Sequence, residues 1–342
     1  MGVAIRDIIP KYEIGFDELK GKRIALDAYN TLYQFLSAIR QPDGTPLLDR
    51  EGRITSHLSG LFYRTVKLVE LGIHPIYVFD GTPPEMKRAT LEKRKNVRET
   101  ARRKWEEAIE KGEIEEARNY AQAAHKMTDD MATESKELLT AMGIPWVQAP
   151  SEGEAQAAYL VARGDTWASG SQDYDSILFG VKKLIRNMTM AGRRKLPGKN
   201  IYANILPERI ELKEVLETLG ITRRKLVWIG ILVGTDFNEK VPGVGPKRAL
   251  SLVKEYDSIE EIFKVLEYRP EYDWGAVEKI FLEPDVSDEY KIEFRTPDRN
   301  KVMEILVEKH DFSIERVERA LKSIEKAVPA EGTQTSLDAW FG

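Results

Sequence analysis

The sequence predicts an α/β fold, a mostly parallel central sheet flanked by helices and interrupted by a charged helical insertion. Three observations lead there. Short apolar or β-branched runs alternate with helical patterns, the helical patterns end on glycine just before the next run, and acidic residues fall repeatedly where the runs finish.

Residues 23–26, 75–79, 145–148 and 166–169 read as strands, and 58–71, 130–142 and 152–163 as helices between them. Gly72, Gly143 and Gly164 stand where these helices should stop, since glycine tolerates the left-handed residue that ends a helix. Residues 85–130 break the rhythm. They are charged and helix-prone with little apolar periodicity, which suggests an arm projecting from the sheet. After Val328 a linker-like Pro-Ala-Glu-Gly-Thr precedes an apolar cluster of Leu337, Trp340 and Phe341.

At 342 residues the chain can bury a full core, and one elaborated domain accounts for its length. The 52 Lys+Arg against 56 Asp+Glu give a net charge of -4, so a nucleic-acid surface would have to be local. With no cysteine, disulfides, iron–sulfur clusters and thiolate zinc sites are excluded. The four histidines, 57, 74, 125 and 310, have no metal-ligand spacing. Arg6 stands where a myristoylation signal needs Ser or Thr, and no apolar run reaches membrane-spanning length. The chain thus reads as soluble and intracellular, and its Glu, Lys and Arg content suggests a thermophilic source.

The acids carry the chemistry. Asp27 and Asp80 end their runs, Glu152 and Glu154 follow the run near Trp146, Asp173 and Asp175 follow the run through Ala168, and Asp236 ends Ile-Leu-Val-Gly-Thr-Asp. Ligands of an open parallel sheet bind outside the carboxyl ends of its strands, so the first six acids should approach one crevice. Carboxylates so crowded resist ionisation unless cations neutralise them, and hard oxygen donors select Mg²⁺ or Mn²⁺. Two such ions about 3.5–4 Å apart perform phosphodiester hydrolysis. Each acid also has a local alternative: Asp27 as a helix cap, Asp80-Gly81 as a turn, Ser151-Glu-Gly-Glu154 as a capping box. Independent caps give no reason for five segments to deliver acids at such places.

From Lys87 to Lys104 the arm carries nine basic and two acidic residues, favouring phosphate contact over a merely solvated face. Gly243-Val-Gly245-Pro-Lys247-Arg248 reads as a glycine hairpin opening a helix, able to hold a phosphate on free N–H groups or to serve as a plain turn.

Asp-Ala-Tyr-Asn-Thr-Leu-Tyr from Asp27, Val-Phe-Asp-Gly-Thr-Pro-Pro from Val78, Pro-Ser-Glu-Gly-Glu-Ala from Pro150, Ser-Gln-Asp-Tyr-Asp-Ser from Ser171 and Gly-Val-Gly-Pro-Lys-Arg from Gly243 resemble the archaeal flap endonuclease family, in order and over nearly the whole chain. Gly170 departs from the alanine common there. The resemblance implies a PIN-like nuclease fold over residues 1–327, with a helical arch at 85–130 around a 5′ flap and a helix-two-turn-helix duplex-binding region at 222–267. It also implies two Mg²⁺, replaceable by Mn²⁺: Asp27, Asp80, Glu152 and Glu154 would serve one ion, Asp173, Asp175 and Asp236 the other.

By the same resemblance Lys87 and Arg94 act as electrostatic catalysts on the scissile phosphate. Tyr33 stacks on a base, unless it is a core tyrosine, and Arg64 contacts DNA. Gly243, Gly245, Lys247 and Arg248 grip the duplex, with K⁺ at that region. The implied activity is structure-specific 5′-flap cleavage in DNA replication, including Okazaki fragment maturation, and repair, with 5′–3′ exonuclease activity, by a monomer. The alternatives are a related 5′ exonuclease or junction resolvase, and a non-catalytic DNA-binding partner of the sliding clamp. The tail 328–342, through Gln334, Leu337, Trp340 and Phe341, resembles a box that docks on the ring-shaped sliding clamp (PCNA), against the alternative that it folds back on its own domain.

Overall fold

The computed structural model describes residues 2–41, 44–113, 115, 116, 120, 127–189, 192–195 and 202–327. The clamp-type box and part of the arm therefore lie outside the described residues. No described helix is long and apolar enough to cross a membrane.

The first strands are β1 (Tyr12–Glu13), β2 (Arg23–Asp27), β3 (His74–Phe79) and β4 (Trp146–Gln148). They are followed by β5 (Ala168–Gly170), β6 (Lys183–Arg186), β7 (Gly192–Lys195), β8 (Tyr202–Ile205) and β9 (Glu208–Glu211). Seven form one sheet in the order β1-β9-β6-β5-β2-β3-β4, and β7 and β8 pair separately. The pairings β6-β5-β2-β3-β4 are parallel, and β9 and β1 add an antiparallel edge. Parallel strands are covered on both faces and become apolar throughout. Accordingly Ile24, Ala25, Leu26, Ile76, Tyr77, Val78 and Phe79 are all buried.

Helices Ala28–Ala38, Ser56–Glu70 and Asp129–Ala141 pack with the terminal helix Ile314–Ala327 on one core, in which Leu58, Leu61, Leu138, Val317, Leu321 and Ile324 meet. Gly153–Arg163, Arg223–Val233, Pro246–Glu255 and Trp274–Leu282 build a second. Gly72, Gly143 and Gly164 have φ of 74°, 70° and 83°, so these helices stop where the sequence says. The arm begins as one 23-residue helix, Arg88–Glu110, with only Ala101 and Ala108 buried.

One expectation is corrected. Ile231–Val233, placed before Asp236 as though in a strand, belongs to the helix Arg223–Val233, so Asp236 follows a helix. Its apolar run is long enough for either element, and the buried contacts of Leu226, Ile229, Ile231 and Leu232 select the helix.

An ionic cluster joins segments that flank the first core. The Asp49 side chain, fully buried, accepts hydrogen bonds from His310 Nδ1 at 2.9 Å, Arg53 Nε at 2.7 Å and the Arg53 N–H at 2.9 Å. Burial disfavours its charge, but these donors outweigh burial and hold the carboxyl at about 2. Because the folded value is depressed, this stabilisation is complete above the unfolded value near 3.9 and is lost as pH falls through about 2. Asp49→Asn should cost about 1–3 kcal/mol at neutral pH, the cost of unpairing buried donors. Denaturant melts at pH 7 and pH 2 check it: the gap between the two proteins should close at the lower pH.

Candidate metal centre

Seven acids, from five separate segments, share one electrostatic neighbourhood at the carboxyl ends of the parallel strands. Asp27 ends β2 and accepts the Asn30 N–H at 2.9 Å, so it does cap the helix Ala28–Ala38. Asn30 also donates through Nδ2 to Asp173 at 2.8 Å, tying the first acid to the fifth. Capping and site membership are thus compatible at Asp27.

Asp80, just past β3, accepts the Gly153 N–H at 2.7 Å, and a Cβ on Gly153 would come within 2.6 Å of its carboxylate. Glycine is what lets the two backbones approach here. Glu152 is the N-cap residue of Gly153–Arg163 but makes no side-chain cap, and Glu154 turns inward to accept from Ser171 Oγ at 2.9 Å and Ser176 Oγ at 2.8 Å. The capping box is not formed. Asp173 accepts the Gly2 N–H at 2.9 Å and Asp175 the Val3 N–H at 2.7 Å, so the N-terminal segment is laid across the cleft.

Two cations stand among these acids. Lys87 Nζ lies 2.6 Å from Glu152 and 3.7 Å from Asp236, and Arg94 donates to Asp236 at 2.5 Å. Burial opposes the charge on Lys87, but Glu152, Asp80 and Asp236 outweigh it and raise its pKa. The carboxylates shift the other way. Burial, then the charge of Asp80, pushes Asp27 well above the usual range. Burial, then Asp175, Asp27 and Asp173, does the same to Glu154. Burial and Asp236 bring Asp175 to about 7, and burial raises Asp80 and Glu152 despite the nearby Lys87.

Seven acids facing two cations leave a site that is short of positive charge. Its donors are all carboxylate oxygens, a set suited to Mg²⁺ or Mn²⁺. Among the described residues no three acidic or imidazole side chains stand close enough to cage an ion as placed, and Glu152 and Asp236 are instead paired with Lys87 and Arg94.

The remaining candidates lie apart from this cluster. Tyr33, on the helix that Asp27 caps, is 37% exposed, which removes the core alternative and leaves its ring accessible. Arg64 is exposed on Ser56–Glu70. Gly243 has φ 71°, Gly245 is the N-cap residue of Pro246–Glu255, and Lys247 and Arg248 are exposed. Arg248 Nη1 donates to the Gly243 carbonyl at 3.2 Å, which braces the hairpin. On the arm, Arg102 and Arg103 approach Glu106 and Glu107 at 3.0 and 3.8 Å, so its basic excess is partly balanced one turn away.

Asn30, Ser171, Ser176 and the Gly2 and Val3 amides were not singled out from sequence. Their types fit their roles, short donors beside crowded carboxylates, but only the fold brings them there.

The arrangement has close relatives. The XPG N-terminal domain family matches residues 4–101 and the XPG I-region family residues 143–236, which together contain all seven acids. Flap endonuclease 1 of Aeropyrum pernix is 58% identical, and that of Pyrococcus furiosus 54%, each over 100% of this chain and 100% and 99% of its own length. The solved flap endonuclease-1 of Methanococcus jannaschii covers 95% of this chain, and 98% of its own chain is covered, with TM-score 0.76 and 42% identity. The Rad2 catalytic core, at 24% identity and TM-score 0.71, shares the fold. With full-length relatives at such identity, this chain belongs to the flap endonuclease 1 family.

Proposed function

We propose that this protein is a structure-specific 5′-flap endonuclease that depends on Mg²⁺ and hydrolyses a phosphodiester near the junction of single- and double-stranded DNA, in replication and repair, with accompanying 5′–3′ exonuclease activity. The observation that carries it is the cluster of seven carboxylates in which, among the described residues, Lys87 and Arg94 are the paired cations. Asp27, Asp80, Glu152 and Glu154 would hold one ion, and Asp173, Asp175 and Asp236 the other. Bound there, divalent ions supply an activated water and neutralise charge on the phosphodiester.

The chain's own residues do the rest. Lys87 and Arg94 would donate to the scissile phosphate. Tyr33 offers its exposed ring to a base beside the cut. Arg64 holds a phosphate, as do the hairpin amides at Gly243 and Gly245 with Lys247 and Arg248 beside them, and K⁺ joins that grip on the duplex. In this reading residues 1–327 are a monomeric nuclease unit whose arch at 85–130 receives the flap and whose 222–267 region holds the duplex.

A labelled 5′-flap duplex, a blunt duplex and a four-way junction, each with Mg²⁺ and with EDTA, test the reading. Preferred, EDTA-sensitive cleavage of the flap is expected. Preference for the blunt end would favour an exonuclease and preference for the junction a resolvase, while no cleavage of any substrate would leave a DNA-binding clamp partner.

The tail 328–342 docks on the sliding clamp in this proposal. One tight turn would gather Leu337, Trp340 and Phe341 into an apolar plug, with Gln334 hydrogen-bonding at its edge. Aromatic anchors of this kind commonly cost more than about 2 kcal/mol when truncated. Trp340→Ala with Phe341→Ala should abolish clamp binding in calorimetry and leave clamp-independent flap cleavage intact. Undiminished clamp affinity would refute the docking.

A further inference from the structure

A cavity of about 950 Å³ opens at the amino ends of the parallel strands, where Lys22 and Arg23 lead into β2, Thr166 and Trp167 into β5, and Lys182 and Lys183 into β6. Asp27 ends the strand that Arg23 begins, so the cavity and the carboxylates are separated by that strand's length, roughly 13 Å at about 3.3 Å per residue. The two sites are distinct.

Its charge is opposite to that of the carboxylate cleft. Lys22, Arg23, Lys182, Lys183 and Lys213 line it against only Asp165 and Glu211. Both acids are already engaged, Asp165 accepting the Tyr290 hydroxyl at 2.5 Å and Glu211 shared between Lys183 at 3.7 Å and Arg209 at 3.4 Å, and of the cations Lys213 approaches Glu217 at 3.8 Å and Lys182 donates to the Ala162 carbonyl at 3.3 Å. Lys22 and Lys183 both stand over the Trp167 ring, their Nζ atoms 5.7 and 3.9 Å from its centre. Two ammonium groups are thus gathered at one aromatic ring. A cavity rimmed by cations in excess of acids is one that an anionic ligand can complete. The remaining wall is apolar, formed by Val161, Leu212 and Leu216.

We propose that this cavity binds a nucleotide, its phosphate drawn to the basic rim of Lys22, Arg23 and Lys183, and its base against Val161, Leu212 and Leu216. The volume lies at the upper end for small-molecule sites, about 300–1,000 Å³, and is far larger than a bare phosphate needs. The same chemistry could arrive as a free nucleotide or as the phosphorylated 5′ end of a DNA strand.

Calorimetry on the intact protein in EDTA, which keeps metal-bridged phosphates off the carboxylates, tests this with dAMP, deoxyadenosine, inorganic phosphate and a 5′-phosphorylated dinucleotide. Saturable binding of dAMP tighter than about 1 mM is expected, with deoxyadenosine and phosphate each at least about tenfold weaker. Lys22→Gln with Lys183→Gln should weaken dAMP at least about tenfold, while single-turnover flap cleavage stays unchanged. Tighter binding of the dinucleotide than of dAMP would assign the site to a DNA end, and the reverse to free nucleotide. Absence of saturable dAMP binding, equal binding of deoxyadenosine, or full retention in the folded double variant would overturn the proposal.

Discussion

Asp175→Ala should lower single-turnover flap cleavage by on the order of 10³-fold or more while changing DNA affinity by less than about tenfold. Asp175 is buried beside Asp236 and Asp173, and its carboxyl is pushed up to about 7 by burial and those neighbours, so its charge is maintained only with cations close by. Metal-assisted stabilisation of a reacting phosphodiester amounts to several kcal/mol, and each loss of about 1.4 kcal/mol is a tenfold step in rate. Affinity comes mainly from phosphate contacts spread over a basic surface, and Asp175 makes none. Single-turnover rates and equilibrium binding of the same flap substrate measure the two quantities separately. Normal Mg²⁺-dependent turnover in Asp175→Ala would remove the two-metal assignment.

Lys87→Ala and Arg94→Ala should each slow the single-turnover step by about 10²–10³, the range for losing one preorganised charge donor. These two cations lie at 2.6 Å from Glu152 and 2.5 Å from Asp236, within the carboxylate cluster. Their positions at the base of the helix Arg88–Glu110 distinguish them from Arg102 and Arg103, which pair with acids of their own helix. The same substitution at Arg102 should therefore change the chemical step by less than about threefold. Should Lys87→Ala and Arg94→Ala lose affinity in proportion to rate, both would be ordinary phosphate anchors. Comparing rate at saturating enzyme with the dissociation constant decides it.

Four of the five parallel strands were legible because they are short, largely apolar and separated by helices with unambiguous glycine stops, whereas β6, with only Leu184 and Ile185 between charged ends, was not. Six of the acids were legible for the same reason: their places at strand ends follow from chain order alone. Asp236 was legible as an acid but not as the follower of a helix, since Ile231–Val233 carries no periodicity that separates a buried helix from a buried strand. What sequence spacing could not supply was the wiring. Asn30 bridging to Asp173, Ser171 and Ser176 converging on Glu154, and Gly2 and Val3 donating to Asp173 and Asp175 join residues 17 to 172 positions apart. Nor did spacing reveal that Ser151-Glu-Gly-Glu154 would forgo its capping box, because the alternative donors for Glu154, Ser171 and Ser176, come from just after β5 and from the helix Asp175–Leu178.

The terminal helix Ile314–Ala327 buries Val317, Leu321 and Ile324 against Leu58 and Leu61, and His310 reaches Asp49 across 261 positions of sequence. A chain built this way cannot complete its first core while it is being synthesised. The helix Ser56–Glu70 leaves the ribosome early, yet part of its apolar face has no cover until the last described turn of the protein has emerged. Contacts of such span also close slowly, because the loop entropy is lost before the burial is gained. The nascent protein therefore spends most of its synthesis with Leu58 and Leu61 incompletely covered, which makes translation speed and chaperone access, rather than the stability of the finished fold, the conditions that set how much of it reaches the native state.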